Sequence, residues 1–340
     1  MTKSVPSAIL LLLASLTPAV AADDTPWTWA GLEILGNHTV PRAEIEKLIP
    51  IPMGGEWRMG DPPVWKESCA AVKERFDFAE VRCSDPPLRV FGGRKAYLVV
   101  DIVEKGREGV LTFREAPTGS VAFANDEMVR LGRELDSKTM AAAMAGHGYN
   151  ETGTKGYLFY EDKSGSNEDL TATVERLALL VPQYRDNLFA VLRGEADLNA
   201  RRRAATLLNW AGDLDRTIRE SLTLLDDPDE GVRNNLSRFM THFSGQVKSK
   251  RLRHRMIDAF VQQLDRPGHG DRNKGIYNLL AIAQARPDDR GYILEHGGES
   301  IRYLSENSIL FNVQGPAHDL LALLGEVKSA VSDAPASPRC

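Results

Sequence analysis

Apolar and polar positions change period several times along this chain, and the changes divide it. The first apolar block runs from Ala8 to Leu16, preceded by Lys3 and followed by Pro18 and the small residues Ala19, Ala21 and Ala22. A basic start, a short apolar core and an A-x-A-like end are the parts of a secretory signal, here residues 1–22. Crossing a bilayer takes about 20 apolar residues, and this run has roughly half of that. A membrane anchor is the alternative reading, and no cysteine lies near the cleavage site to carry a lipid.

From Trp29 the pattern becomes that of a small two-layer unit. Leu32, Ile34 and their neighbours predict a strand that stops at the turn pair Gly36-Asn37. Thr39-Val40-Pro41 then starts a helix with Ile45, Leu48 and Ile49 on one face, ended by Pro50. A second helix opens near Asp61-Pro62-Pro63 and runs through Trp65, Cys69, Val72 and Phe76 at helical spacing. The period then falls to two: Ala79, Val81 and Cys83 alternate with Glu80 and Arg82. After the hairpin pair Gly92-Gly93, residues 96–104 form the most strand-like segment of the chain. The order is strand, helix, helix, strand, strand, with helices covering one sheet face.

These residues resemble a POTRA domain, the polypeptide-transport-associated module. The resemblance covers Trp29 to Glu104 and rests on Leu32 to Asn37, the helix Ala43 to Leu48, Ile51 to Gly54, Arg75 to Val81 and Tyr97 to Glu104. It implies a sheet that accepts an added strand, here along Phe78 to Ser84, with Glu80 and Arg82 facing outward to bias selection. POTRA modules usually stand in tandem ahead of a barrel or beside a membrane anchor; this chain has one copy and no barrel. If Cys69 lies on the sheet-facing stripe of its helix and Cys83 on the helix-facing side of its strand, the thiols converge and can bridge. Two buried free cysteines are the alternative. Cys340 is left over in a Ser/Pro/Ala tail.

Residues 106–169 are less legible and are expected to form a connector with short helices. Asn125 can cap a helix carrying Met128, Leu131 and Leu135; Ser137 can start another through Met140 and Met144 that stops at Gly146. The glycine-rich stretch from Gly146 to Gly156 lacks the phosphate-loop spacing and reads as a flexible link.

From Leu170 to about 325 the pattern is helical and it repeats. Ala204, Leu207 and Leu208 align with Leu236, Phe239 and Met240 at an offset of 32 residues, and Ile218 aligns with Ile257 at 39. One helix pair per 30–40 residues marks a solenoid. The turn from Leu225 to Arg233 resembles that of HEAT repeats, which implies a capping role for Asp229 and core positions for Val232 and Arg233. A globular helical bundle is the competing architecture. The fold class expected is therefore an α+β, β-α-α-β-β, POTRA-like domain over 29–105, then an all-α HEAT-like solenoid over 170–325 and a disordered tail over 326–340.

Composition adds little until chemistry is sought. The chain has 340 residues, 26% charged and 42% hydrophobic, with a formal charge of −5 and three cysteines, which describes a globular protein and gives nucleic acid no preference. There is no nucleophile elbow, no Ser-x-x-Lys, no His-Glu-x-x-His and no paired-cysteine metal spacing. The seven histidines are scattered, and only His242 and His254 share a neighbourhood. The acidic group Asp226, Asp227, Asp229 and Glu230 is accounted for by helix capping. One basic segment stands out: Lys248, Lys250, Arg251, Arg253 and Arg255, with Arg201 to Arg203 a repeat earlier. It is either a positive stripe for acidic segments, anionic lipid heads or envelope polymers, or a solvated face.

The function expected from these patterns is an exported, non-enzymatic adaptor or scaffold of the bacterial envelope. It would act in the periplasm or outside the cell, through the sheet edge and a helical groove near Ile218 and Ile257. The runner-up is an accessory factor in outer-membrane protein assembly that handles unfolded clients. A hydrolase using a pocket around His147 to Tyr160 is a third reading. Partners are other proteins of the envelope or outer membrane; no cofactor, metal or nucleic acid is expected.

Overall fold

The computed structural model describes residues 26–58, 66–84, 87–90, 93–145, 147–154 and 156–326. The proposed signal segment, the start of the second predicted helix at 61–65, Gly92, Gly146 and Cys340 lie outside the described residues.

Strand β1 (Trp27–Leu35) buries Trp27 and Trp29 on one face. A register shift between Trp29 and Gly31 then lets Leu32 and Ile34 continue that face, leaving Glu33 and Leu35 on the other. The chain turns at Gly36, with φ +77°, where a Cβ would meet the Ile102 carbonyl oxygen at 2.1 Å, so the predicted Gly-Asn turn has a steric cause. Helix α1 (Arg42–Glu46) buries Ile45 and is short because Pro50 denies Ile49 the helical region. The two-residue β2 (Glu56–Trp57) pairs with the start of β1, and Trp57 packs against Trp27 and Trp29 with ring centroids 6.3 and 6.0 Å away. Helix α2 (Lys66–Phe76), β3 (Glu80–Ser84), β4 (Pro87–Val90) and β5 (Gly93–Val103) complete the unit.

The sheet order is β2-β1-β5-β3, with β4 also pairing β5; β1 runs parallel to β5, and β3 and β4 run antiparallel to it. Central β5 alternates as its sequence predicts. Ala96, Leu98, Val100 and Ile102 face the α1/α2 layer, and Val99 and Asp101 face the other way. The expectation of one covered face is corrected here. Val99 and Asp101 are buried, because the helical half of the chain packs on the second sheet face. A strand covered on both sides reads as the near-continuous apolar run seen from Ala96 to Val103.

Residues 106–169 are not a connector of short helices. Asn125 does cap α3 (Asp126–Met144), its side chain accepting the Met128 N–H at 2.7 Å, but the helix continues through Ser137. An i,i+4 pair of Glu134 with Lys138 at 2.7 Å crosses the expected break. The stretch read as a flexible link is a hairpin of β6 (Tyr149–Thr154) and β7 (Tyr157–Asp162). Its alternation was disguised by Gly, Asn and Thr, and it docks on the core where the Trp210 indole N–H donates to the Leu158 carbonyl at 2.9 Å.

After α4 (Thr171–Leu180) come α5 (Arg185–Gly194), α6 (Leu198–Leu207), α7 (Leu214–Leu222), α8 (Glu230–Phe243), α9 (Lys250–Leu264), α10 (His269–Ala285), α11 (Arg290–Asn307) and α12 (Phe311–Leu324). Helices α6, α8, α10 and α12 stack in one layer and α7, α9 and α11 in a second, each successive pair packing together. Ala204, Leu207, Leu208, Leu236, Phe239 and Met240, aligned as repeats in the sequence, are all buried. Ile218 and Ile257 are fully buried as well, so they belong to the core between layers and do not line a groove.

Four helices carry one further regularity. The helix-capping residues Asp197, Ser249, Asp229 and Gly268 are each followed four positions later by a buried arginine: Arg201, Arg253, Arg233 and Arg272. In each, Nη1 turns back onto the carbonyls just before the cap. Arg233 takes those of Asp227 and Pro228 at 2.7 and 3.2 Å, and Arg253 those of Val247 and Lys248 at 3.2 and 2.7 Å. Arg201 reaches Glu195 and Ala196, and Arg272 reaches Arg266. Each guanidinium also meets an aspartate from elsewhere: Asp227, Asp289, Asp271 and Asp101 for Arg201, Arg253, Arg233 and Arg272. This ladder joins neighbouring turns, and its last rung enters the sheet.

Candidate functional site

Two features of the N-terminal sheet bear on function, its open edge and the seam beneath it. Strand β3 pairs with β5 from Glu80↔Val103 to Ser84↔Val99 and terminates the sheet. Among the described residues its outer edge makes no backbone hydrogen bond, whereas the far edge is tied by β2 and by bonds between Trp29 and residues 54–55. Cys69 of α2 and Cys83 of β3 stand at disulfide distance with Cα atoms 6.4 Å apart, pinning the strand to the helix layer. Val81 and Cys83 pack toward that layer, as the alternation predicts.

The other expected edge residues behave differently. Phe78 is buried in the α1/α2 core and is not available for docking. Glu80 is engaged by Lys73 at 2.8 Å and lies 3.7 Å from Arg82. Arg82 pairs across the ladder with Asp101, and its guanidinium lies 6.0 Å from the Phe113 ring. Glu80 is thus tied to α2 of the same unit, and Arg82 stays exposed at the edge beside Phe113.

Beneath the sheet the seam is polar. Glu33 of β1 accepts from the Ser308 hydroxyl at 2.6 Å and the Ile309 N–H at 2.8 Å, capping the turn into α12 with a carboxylate where helix N–H groups are otherwise unpaired. Asp101 meets Arg272 at 2.6 Å, and the Gly36 N–H donates to the Tyr303 hydroxyl at 2.8 Å. Burial raises the Asp101 carboxyl against the pull of Arg272. Burial also raises Glu104, but bonds from the Thr39 hydroxyl and the His38 and Thr39 N–H groups outweigh it, so Glu104 stays below its ordinary value.

A cavity of about 440 Å³ opens along this seam, its polar lining including His38, Glu104, Arg107, Arg272 and Arg302. Acidic and basic groups are mixed there, with no nucleophile activated by a base. The hydrolase reading placed a pocket around His147 to Tyr160; that stretch is the hairpin, with Tyr149, Tyr157 and Tyr160 packed on the core. Among the described residues no group of three His, Cys, Asp or Glu side chains is arranged to hold a metal ion. His242 pairs with Glu151 at 3.0 Å, and His254 stacks on Tyr292 at 3.8 Å.

The basic segment divides. Lys248, Lys250, Arg251 and Arg255 are exposed, but Arg253 is buried as a ladder rung against Asp289. Arg201 is likewise a rung, Arg202 forks onto Asp229 at 2.8 and 2.7 Å, and Arg203 pairs with Asp136. Of the two readings, a positive stripe or a solvated face, the stripe cannot extend through Arg201 to Arg203 or Arg253, which structural pairing consumes, and four exposed residues remain on α9 and its start. Asp229 caps α8 by accepting the Val232 N–H at 2.8 Å, and Val232 and Arg233 enter the core, as expected of a repeat turn. Capping does not account for the whole acidic group: Asp227 is a buried partner of Arg114 and Arg201.

Glu33, Asp101, Arg272 and Tyr303 were missed by sequence reasoning. The four-residue step from helix cap to arginine is the signal that would have found Arg272; nothing local points to its partner. Compared with protein-family models, curated proteins and solved structures, the chain matches none. Among the described residues no helix is long and apolar enough to cross a membrane.

Proposed function

We propose that this protein is an exported, non-enzymatic adaptor of the bacterial envelope that captures an extended segment of a partner protein on the free edge of β3. The observation that carries this reading is the unpaired outer edge of β3, held rigid from one side by β5 and from the other by Cys69. A strand added there gains main-chain hydrogen bonds, with exposed Arg82 beside it, which suits clients presented as extended chains. Export is supported by the N-terminal basic and apolar pattern and by a cysteine pair at bonding distance, which favours an oxidising compartment. The POTRA-like reading is supported by a small mixed sheet with two helices on one face, in which the short β2 between α1 and α2 and β4 between β3 and β5 depart from the expected strand, helix, helix, strand, strand; the HEAT-like reading is supported by stacked helix pairs with their arginine ladder.

Proline scanning of the edge tests the proposal. Neighbouring N–H groups of a strand point to opposite edges, so of Val81→Pro and Arg82→Pro one removes an outward donor and the other a bond to β5. The variant that keeps the native unfolding transition should lose capture of strand-forming peptides. Capture retained by that variant would refute the site. Unfolded barrel-strand peptides as ligands would favour the assembly-factor reading over a scaffold for folded proteins.

A further inference from the structure

After β5 a 3-10 turn (Glu108–Leu111) leads into residues 112–124, which run without helix along the turns of the first helix pairs to α3, as a strap. Its only strand-like contact is a bridge of Gly119 to Glu195. The Arg114 N–H donates to the Asp226 carbonyl at 2.9 Å, and its guanidinium reaches the Leu192 carbonyl at 2.7 Å and the buried Asp227 carboxylate. Gly119 accepts from the Ala196 N–H at 2.9 Å. Asn187 then clamps the main chain twice, donating to the Ala122 carbonyl at 3.0 Å and accepting the Ala124 N–H at 2.9 Å. Phe113 lies against two further guanidiniums, Arg233 at 4.5 Å and Arg266 at 5.3 Å from its ring centre.

These contacts fall into two kinds. The bonds from residues 187, 195 and 196 address backbone, which any extended chain supplies. The pockets at Asp227 and at the paired arginines ask for an arginine preceded by an aromatic ring. None of residues 112–124 is buried, and eight of these thirteen are exposed. Val121 and Phe123 pack half-buried on the helical core, and the other anchors are polar or cationic; a segment with no fully buried side chain opens more readily than the core it lies on.

We propose that this edge of the array is a binding site for an extended protein segment carrying an aromatic residue followed by arginine, occupied in cis by residues 112–124 until such a segment displaces them. The site touches the β3 edge only through Arg82, whose guanidinium lies 6.0 Å from the Phe113 ring. Its chemistry is complementary to the occupant: a fully buried carboxylate for the arginine, cationic faces for the ring, and an amide clamp for the main chain.

The test uses the full chain and a labelled peptide with the sequence of residues 112–124, followed by fluorescence anisotropy. The tethered strap competes at high effective concentration, so wild type should bind weakly. Arg114→Ala and, separately, Ala124→Pro loosen the strap and should each tighten binding by about tenfold or more. Ala124→Pro removes a single main-chain donor from an exposed residue, so it serves if Arg114→Ala fails to fold. Adding Asn187→Ala, or replacing the peptide's arginine by alanine, should abolish the gain. Val81→Pro, whose side chain packs on the α1/α2 layer away from Phe113, should leave it unchanged. The proposal is overturned if a folded, loosened variant binds no tighter than wild type, or if binding ignores Asn187 and the peptide's arginine.

Discussion

Arg272 of α10 and Asp101 of β5 form one ion pair, 2.6 Å from Nη1 to Oδ1 with each side chain 4% exposed, although they belong to different halves of the chain. The same arginine position that links neighbouring turns of the array here links the array to the sheet. Removing one partner of a buried pair strands the other charge, so Arg272→Ala should cost about 3–5 kcal/mol. The double variant Arg272→Met with Asp101→Leu should cost less than the single one. Urea unfolding followed separately by tryptophan fluorescence and by helical circular dichroism checks this. Coincident transitions that shift together are expected, and an unshifted helical transition in Arg272→Ala would uncouple the halves.

The Cys69–Cys83 pair closes a loop with a sequence separation of 14 between α2 and β3. In the chain-entropy model such a bridge is worth roughly 3 kcal/mol. Intact mass under non-reducing conditions should be lower by two hydrogen atoms than after reduction. Reductant should lower the midpoint of sheet unfolding, and a Cys69→Ser/Cys83→Ser variant should be insensitive to it.

His269 opens α10 beside the seam, and burial, then the charges of Arg272 and Lys274, push its imidazole down from 6.5 to about 3. Between those values the unfolded chain binds a proton that the native protein does not. Stability therefore rises with pH across this window and falls as pH drops from 6.5 toward 3. Glu104, held below its ordinary 4.5, acts in the same direction but lower. His269→Gln should flatten the slope of unfolding free energy above about pH 5, where carboxylates with lowered values, Glu104 among them, contribute little. An unchanged slope there would show that His269 protonates freely in the native state.

On α9 the basic residues differ in consequence. Replacing exposed Lys248, Lys250, Arg251 and Arg255 by glutamine should change stability by no more than about 0.5 kcal/mol per site. Arg253→Gln removes a rung against buried Asp289 and should cost several times that. If these exposed charges meet an anionic partner, the quadruple variant also loses the salt dependence of binding; thermal melts and binding at two salt concentrations read both effects.

The alternation in β5, the Gly36 turn, the cap at Asn125 and the repeat alignment of Leu207 with Phe239 were legible because each depends on neighbours in sequence. Ser137 misled because the apolar stripe of α3 outweighed a local capping signal. The hairpin at Tyr149 was hidden by polar residues whose alternate positions are only half-buried. The basic run around Arg253 was read as surface, yet the four-residue step from Asp197 to Arg201, Asp229 to Arg233 and Ser249 to Arg253 was present in the sequence. What no local pattern carries is the partner of such a charge. Asp101 looks like a polar interruption of a strand until Arg272 arrives from 171 positions away.

Hydrogen–deuterium exchange of the full chain, with and without an extended peptide of alternating apolar and polar residues, tests strand capture most directly. Slower exchange at outward-facing amides of Glu80–Ser84, with α8 and α10 unchanged, is the predicted result. A bound peptide that leaves those amides exchanging as before would contradict it.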